Sequence, residues 1–337
     1  MRNEAMVQPV PVPVAYGPLL ATLVLALALV VLPFAAQALG QPSLVPLATR
    51  ALIYAIAAAS LNLALGYGGM VSFGHAAFFG IGGYVVGILY QSFTADELLF
   101  GLIPGTNQLL LTLAAAMLAA GFLALVIGAL SLRTSGVQFI MITLAFAQML
   151  FFLFVSLKAY GGDDGLIIRR RNILFGLDTR DDTVFYFVCL AAAAIMFWGI
   201  ARIVGSRFGM VLAGIRQSER RMAAMGIAPY RYKLAAFVIS GMGAGLAGAL
   251  MANYLRFVSP DMLHWTKSGE LMIMVILGGV GTLLGPLLGA AALVVLETVL
   301  TAWTEHWQLV LGPILLVVVL FTQGGLRALL RRLGGGR

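Results

Sequence analysis

The chain has 337 residues, 61% of them from the set Ala, Val, Ile, Leu, Met, Phe, Trp, Tyr and Cys. Its 40 glycines raise the apolar share to roughly three quarters, against about half in soluble domains. Charged residues make up 10%, too few to clothe a water-facing surface, so a soluble enzyme is excluded, and so is a nucleic-acid-binding domain despite the net charge of +8.

The apolar runs are continuous instead of alternating, which points to membrane helices and away from barrel strands. A bilayer core about 30 Å thick needs about 20 apolar residues per helix. The expected fold class is all-α: a polytopic helical membrane protein of about ten spans. In chain order these are 18–39, 45–66, 70–90, 108–130, 135–157, 184–204, 234–255, 268–284, 286–303 and 307–323. They form one transmembrane domain, 18–323, between an N-terminal segment, 1–17, and a basic tail, 324–337. The end of the first run, Ala36-Gln37-Ala38, loosely imitates a signal-peptide cleavage site, but the leader is long and weakly charged, which favours an uncleaved first span.

The basic residues set the expected topology. Of the 21 Lys and Arg, seven lie in 202–233 and four in 327–337, and the positive-inside rule puts both segments in the cytoplasm. Ten spans then leave both termini cytoplasmic. The loop 158–183 falls outside by parity, although Lys158, Arg169, Arg170, Arg171 and Arg180 conflict with that side.

Two stretches are rich in glycine, 66–87 (GYGGMVSFGHAAFFGIGGYVVG) and 278–289 (GGVGTLLGPLLG). They fall five spans apart, which suggests a five-plus-five inverted repeat with broken helices near the midplane. Close helix packing through small residues explains the same glycines without any transport role. His75 lies in the first stretch, where an ionisable group either touches substrate or a gate, or hydrogen-bonds a neighbouring carbonyl. Glu270 and Glu297 are the membrane carboxylates. Their scarcity speaks against an ion-coupled carrier, and Glu297 is expected to pair with a polar group between helices. Asn62, Thr143, Gln148 and Asn253 are read as interhelical hydrogen-bonding groups. Cys189 is a small buried hydrophobe.

No Gly-x-x-x-x-Gly-Lys-Ser/Thr motif occurs, so this chain cannot cradle ATP in a P-loop. No Cys cluster or His-Glu-x-x-His pattern offers a metal site, and no cofactor is expected on this chain. The polar interruption 206–233, SRFGMVLAGIRQSERRMAAMGIAPYRYK, predicts a short helix over 217–226. Glu219 falls in its first turn, Gly226 supplies a left-handed stop, and Pro229 follows. Such a helix either meets a soluble partner or lies on anionic membrane lipid, drawn by Arg216, Arg220 and Arg221.

The island has Ala213-Gly214-Ile215-Arg216, Glu219, Ala223 and Gly226-Ile227 followed by 232–237 (YKLAAF). It resembles the cytoplasmic coupling loop of importer-type ABC permeases. Leu61-Asn62-Leu63 leading into 66–69 and 72–84 (SFGHAAFFGIGGY) is similar, more specifically, to branched-chain amino-acid permeases of the LivM type. Three further stretches match the same family: 143–148 (TLAFAQ), 161–166 (GGDDGL) and 278–286 (GGVGTLLGP). Arg169-Arg170-Arg171 departs from it, standing where the family loop runs on in small polar residues and proline.

The resemblance implies a permease subunit of a binding-protein-dependent ABC importer for branched-chain or other apolar amino acids, in the bacterial cytoplasmic (inner) membrane. Its partners would be two ATP-binding subunits, a second permease subunit and an extracytoplasmic substrate-binding protein. ATP would be used by the partner subunits alone, and this chain would not itself be an enzyme. Loop 205–233 would couple to the ATPase through Arg216, Glu219, Ala223 and Gly226. Asn62, Gly69, Ser72, His75, Gly279 and Gly281 are the pathway or gate candidates. A urea or short-amide importer, an ion-coupled secondary transporter and a scaffold subunit with no path of its own remain alternatives.

Overall fold

The computed structural model describes residues 16–303 apart from 97, 100–102 and 175–178, together with 306, 309, 310, 312 and 313. The expected segment 1–17 and last span 307–323 lie almost wholly outside the described residues, and the tail 324–337 entirely so. The chain divides into two units, Met1–Val45 and Pro46–Arg337. The first holds α1 (Tyr16–Ala38), an apolar helix with Pro33 inside it.

From residue 46 onward the protein is a helical bundle. Its long helices are α2 (Leu44–Asn62), α3 (His75–Ala95), α4 (Leu109–Ser131), α5 (Val137–Ser156), α6 (Asp182–Val204), α9 (Pro229–Leu255) and α11 (Gly285–Trp303). Among the described residues, these seven are long and apolar enough to cross a membrane by length and composition, α2 being counted with the π-helical turn that extends it to Tyr67. Between α6 and α9 lie α7 (Arg207–Gln217) and α8 (Glu219–Ala224), and before α11 lies the short α10 (Trp265–Gly278).

Several boundaries differ from the sequence expectation, each for a local reason. The third span begins at His75, not residue 70, because 68–74 is irregular backbone. The span expected over 268–284 is a helix of 14 residues that ends at Gly279, whose φ of 115° no L side chain adopts comfortably. Pro229 opens α9 at its first turn instead of merely ending the preceding helix, since a missing N–H costs nothing there. The single helix expected over 217–226 is the shorter α8, set off from α7 by Ser218. This serine is extended (φ −161°), and its Oγ accepts from Arg221 N. Gly226, at φ 82°, is the left-handed stop that the sequence indicated.

At the centre of the bundle α3, α4 and α9 approach nearly backbone to backbone. A Cβ built on Gly248 would lie 1.7 Å from Phe79 O, and one on Gly82 would lie 2.0 Å from Gly245 O. Ala120 and Ala124 of α4 face Gly245 and Gly241 of α9 in the same way. Small residues are what allow this contact in a medium where hydrophobicity itself does not press helices together. Below the seam the buried rings of Phe78, Phe139 and Phe237 pack edge to face, with centroids 5.4 and 6.0 Å from Phe237. Cys189 is fully buried in α6.

The loops sort to two faces. β3 (Leu166–Ile167, following β1 at Leu98–Leu99 and β2 at Ile103–Pro104) pairs antiparallel with β4 (Phe257–Val258), and Gln108 bridges to Ile173. Asn172 completes the tie, its N–H donating to Asn253 Oδ1 at 3.0 Å and its Nδ2 to Thr112 Oγ1 at 3.3 Å. The loops around 104–108, 157–174 and 256–259 therefore share one face. The directions of α4, α6 and α9 put 132–136 and 205–228 on the opposite one.

The helix seam is directly testable. Gly248→Val should cost more than the usual 1–3 kcal/mol, roughly, of an overpacked site, because the obstruction is backbone. Gly199→Val, where nothing lies within 4 Å, should be neutral. Thermal unfolding of the detergent-solubilised protein reads the difference, and equal melting temperatures for the two variants would contradict the packing.

Candidate functional site

The two glycine-rich stretches meet. α2 ends at Asn62 and continues as a π-helical turn, Leu63–Tyr67, before the irregular segment 68–74 leads into α3. The second break, 279–284, separates α10 from α11. Asn62, 1% exposed, joins them: its Nδ2 donates to Thr282 O and its Oδ1 accepts from Gly281 N, both at 2.9 Å. The approach demands glycine, since a Cβ on Gly66 would lie 2.5 Å from Gly281 N.

Arg216, at the end of α7, reaches the same junction. Its Nη1 donates to Gly66 O, and its side chain runs across Gly69, where an added Cβ would lie 3.0 Å from Arg216 Cγ. The guanidinium also borders Gly281, with Nη1 3.4 Å from a Cβ built there. Thus Asn62, Gly69, Gly281 and Arg216, drawn from three different parts of the sequence, form one constellation. Gly279 stands at its edge as the C-cap of α10.

The first break is held on its other side by hydroxyls. Ser268 Oγ on α10 donates to Phe73 O at 2.6 Å and accepts from Ala76 N at 2.7 Å. Thr143 Oγ1 on α5 accepts from Phe73 N at 3.3 Å, and Ser72 Oγ accepts from Gly74 N at 3.1 Å. Irregular backbone at membrane depth survives only where the protein supplies partners, and these three side chains do so.

His75 is fully buried beside the rings of Phe78 and Phe237, at centroid distances of 5.5 and 5.6 Å. Its Nε2 lies 2.7 Å from Ser240 Oγ, which donates to Ser60 O at 2.5 Å. Ser240 has one proton and directs it to Ser60, so the imidazole donates from Nε2. The residue is thereby a strut between α2, α3 and α9, bonded to the Ser240 hydroxyl.

On the island, Glu219 pairs with Lys233, tying α8 to the start of α9. Ala223 and Gly226 are exposed, and Met225 is 61% exposed while Met222 is buried under α7. The structure does not bring Glu219, Ala223 or Gly226 to the junction that Arg216 touches.

Residues the sequence left unassigned complete the picture. Gly66 and Ser268 carry no individual signal, because each matters through partners 150 or more residues away. Arg50 did carry one, an arginine within an apolar run, and its Nη2 lies 2.8 Å from both carboxylate oxygens of Glu297. Lys267 Nζ lies 2.9 Å from Glu270 Oε2. On the opposite face from the island, Arg169, Arg170, Arg171, Arg180, Asp182 and Arg256 line a cavity of about 230 Å³. Arg171 is fixed there by Asp182 at 2.7 Å and by the ring of Phe185 at 4.6 Å.

The Asn62 bridge should be costly to lose. Asn62→Leu removes both bonds and strands Gly281 N and Thr282 O, at about 1–3 kcal/mol for each unpaired group. Asn62→Asp keeps the acceptor and should fall between Leu and wild type. Chemical unfolding in detergent checks the order, and a Leu variant as stable as wild type would contradict the bridge.

The chain is similar to the high-affinity branched-chain amino acid transport system permease protein LivM of Escherichia coli strain K12, 29% identical over 328 residues, 90% of this chain and 74% of that one. It is 26% identical to the probable branched-chain amino acid transport permease protein LivM of Methanocaldococcus jannaschii over 80% of this chain and 86% of that one. It is 32% identical to the autoinducer 2 import system permease protein LsrC of Enterobacter sp. strain 638, over 48% and 46%. No solved structure matches the chain significantly. The family described as branched-chain amino acid transport system, permease component, matches residues 43–320, and the chain belongs to that family.

Proposed function

We propose that this chain is the permease subunit of an ABC importer that carries branched-chain or other apolar amino acids across the bacterial inner membrane. The observation that carries the reading is the Arg216 link, which runs from an exposed helix pair on one face to two apposed helix breaks within the bundle. Family membership and the names of the relatives supply the substrate class. The partial match to an autoinducer 2 permease leaves the family's wider range of cargo in view.

On this reading the island face is cytoplasmic and both termini lie on that side. Ten spans arise when α1, the α10 segment and 307–323 are counted with the seven long helices, in a five-plus-five arrangement. Two ATP-binding subunits dock on α7 and α8, and a second permease subunit completes the path. An extracytoplasmic binding protein docks on the face that carries the arginine-lined cavity. ATP-driven closure of the partner subunits moves α7 and α8 as a rigid pair, since Met222 packs into Gly214 and Glu219 is tied to Lys233. Arg216 passes that movement to Gly66 and Gly281, biasing the two breaks between alternative arrangements.

The test is reconstitution in proteoliposomes with all four partner chains. Leucine uptake should require ATP and loaded binding protein. Gly226→Val, which places a β-branched residue at φ 82° with open space around it, should distort α8 and cut uptake at least tenfold while insertion is retained. Uptake driven by an ion gradient without the ATP-binding subunits would overturn the assignment, as would normal uptake in the Gly226 variant.

A further inference from the structure

Almost every charge in this chain lies outside the apolar spans, yet four gather on α2, α10 and α11. Arg50 and Glu297 pair across α2 and α11, and Lys267 and Glu270 pair within one turn of α10. Tyr54 stands between the pairs. It lies one turn along α2 from Arg50, whose guanidinium is 5.6 Å from its ring, and it is among the electrostatic neighbours of Lys267, as is Glu297. The order along the bundle follows from packing. Tyr54 stacks on Phe79, Gly80 packs on Leu263, and Lys267 begins the next turn beyond. The charges thus form a ladder: the Arg50 pair, then Tyr54, then the Lys267 pair.

All four side chains are partly open, between 22% and 38% exposed. A charged group at membrane depth is costly against acyl chains and is normally found facing a bundle interior or a water-filled cavity. The openness of this ladder is therefore informative, because the face it occupies is not a lipid face. Each rung also carries both signs. A zwitterion presents a carboxylate and an ammonium a few ångströms apart, which is the complement of a paired cation and carboxylate that can exchange partners.

We propose that the ladder of Arg50–Glu297 and Lys267–Glu270 lines the path of the substrate and binds the carboxylate and ammonium of a zwitterionic amino acid in turn. The proposal rests on the permease reading above. It places the headgroup contacts on α2, α10 and α11. The junction of Asn62, Gly281 and Arg216 then works as the moving part beside it, since α10 and α11 are the two arms of the second break.

The test uses the complete reconstituted complex, with radiolabelled leucine as the probe and ATP hydrolysis measured in parallel. Lys267→Met and Glu270→Gln should each lower leucine uptake at least tenfold while hydrolysis stimulated by loaded binding protein stays within about twofold of wild type. The swapped pair K267E/E270K restores an ion pair, so recovery of uptake in it would show a merely structural bridge and overturn the proposal. Persistent loss supports it. Should the charge variants fail to fold, Ile273→Cys in a Cys189→Ser background probes the same helix face without touching a charge. Labelling by a membrane-impermeant cationic thiol reagent, slowed by transported leucine, supports a watered path. Labelling by lipid-soluble reagents alone overturns it. If wild type itself shows no ATP-dependent uptake, the permease reading fails first, a result separate from normal uptake in Lys267→Met, which sinks only the ladder.

Discussion

Backbone that leaves the helix inside a membrane protein must find hydrogen-bond partners within the protein, because lipid supplies none. This chain breaks its helices twice at the same place, at 68–74 and 279–284, and then satisfies the freed groups with a handful of side chains. Asn62, at the end of α2, holds Gly281 and Thr282 of the second break, Ser268 and Thr143 hold Phe73 of the first, and Arg216 takes Gly66 O. The surrounding architecture follows from that requirement. Glycine at 66 and 281 lets the strands of backbone come close enough to share Asn62, and a buried His75–Ser240–Ser60 chain fixes the helices on which the breaks are mounted.

The same arrangement separates rigid from movable parts. The α3–α4–α9 seam is locked by contacts that tolerate no side chain, with backbone carbonyls where a Cβ would stand. The junction combines one such approach, Gly66 on Gly281, with individual hydrogen bonds to side chains. One of these comes from a helix that sits on an exposed loop.

Much of the fold was legible in the sequence because apolar periodicity and span length are local properties. Seven of the expected spans appear as long helices, the left-handed stop at Gly226 is present, and Glu297 has the partner between helices that was anticipated. The candidate site was legible only in pieces. Glycine content marked both breaks, and the charge pattern marked the island, but nothing local to residue 216 states that its side chain meets residues 66 and 281. Those contacts span more than sixty residues each, and they depend on how α7 lies against the end of α2. Arg50 is the opposite case, since its position within an apolar run was visible and its meaning came only with Glu297 and Tyr54.

The central claim is that Arg216 transmits movement of the exposed helix pair to the paired breaks. The direct measurement is a nucleotide-dependent distance change, read from spin labels at Ala223→Cys on α8 and Thr282→Cys in the second break, each against a fixed label on α6, in a Cys189→Ser background within the assembled complex. With Arg216 present, both labels should shift when ATP binds. With Arg216→Ala, the α8 label should still shift while the label at 282 stays in place. A break that moves equally far without Arg216 would contradict the account.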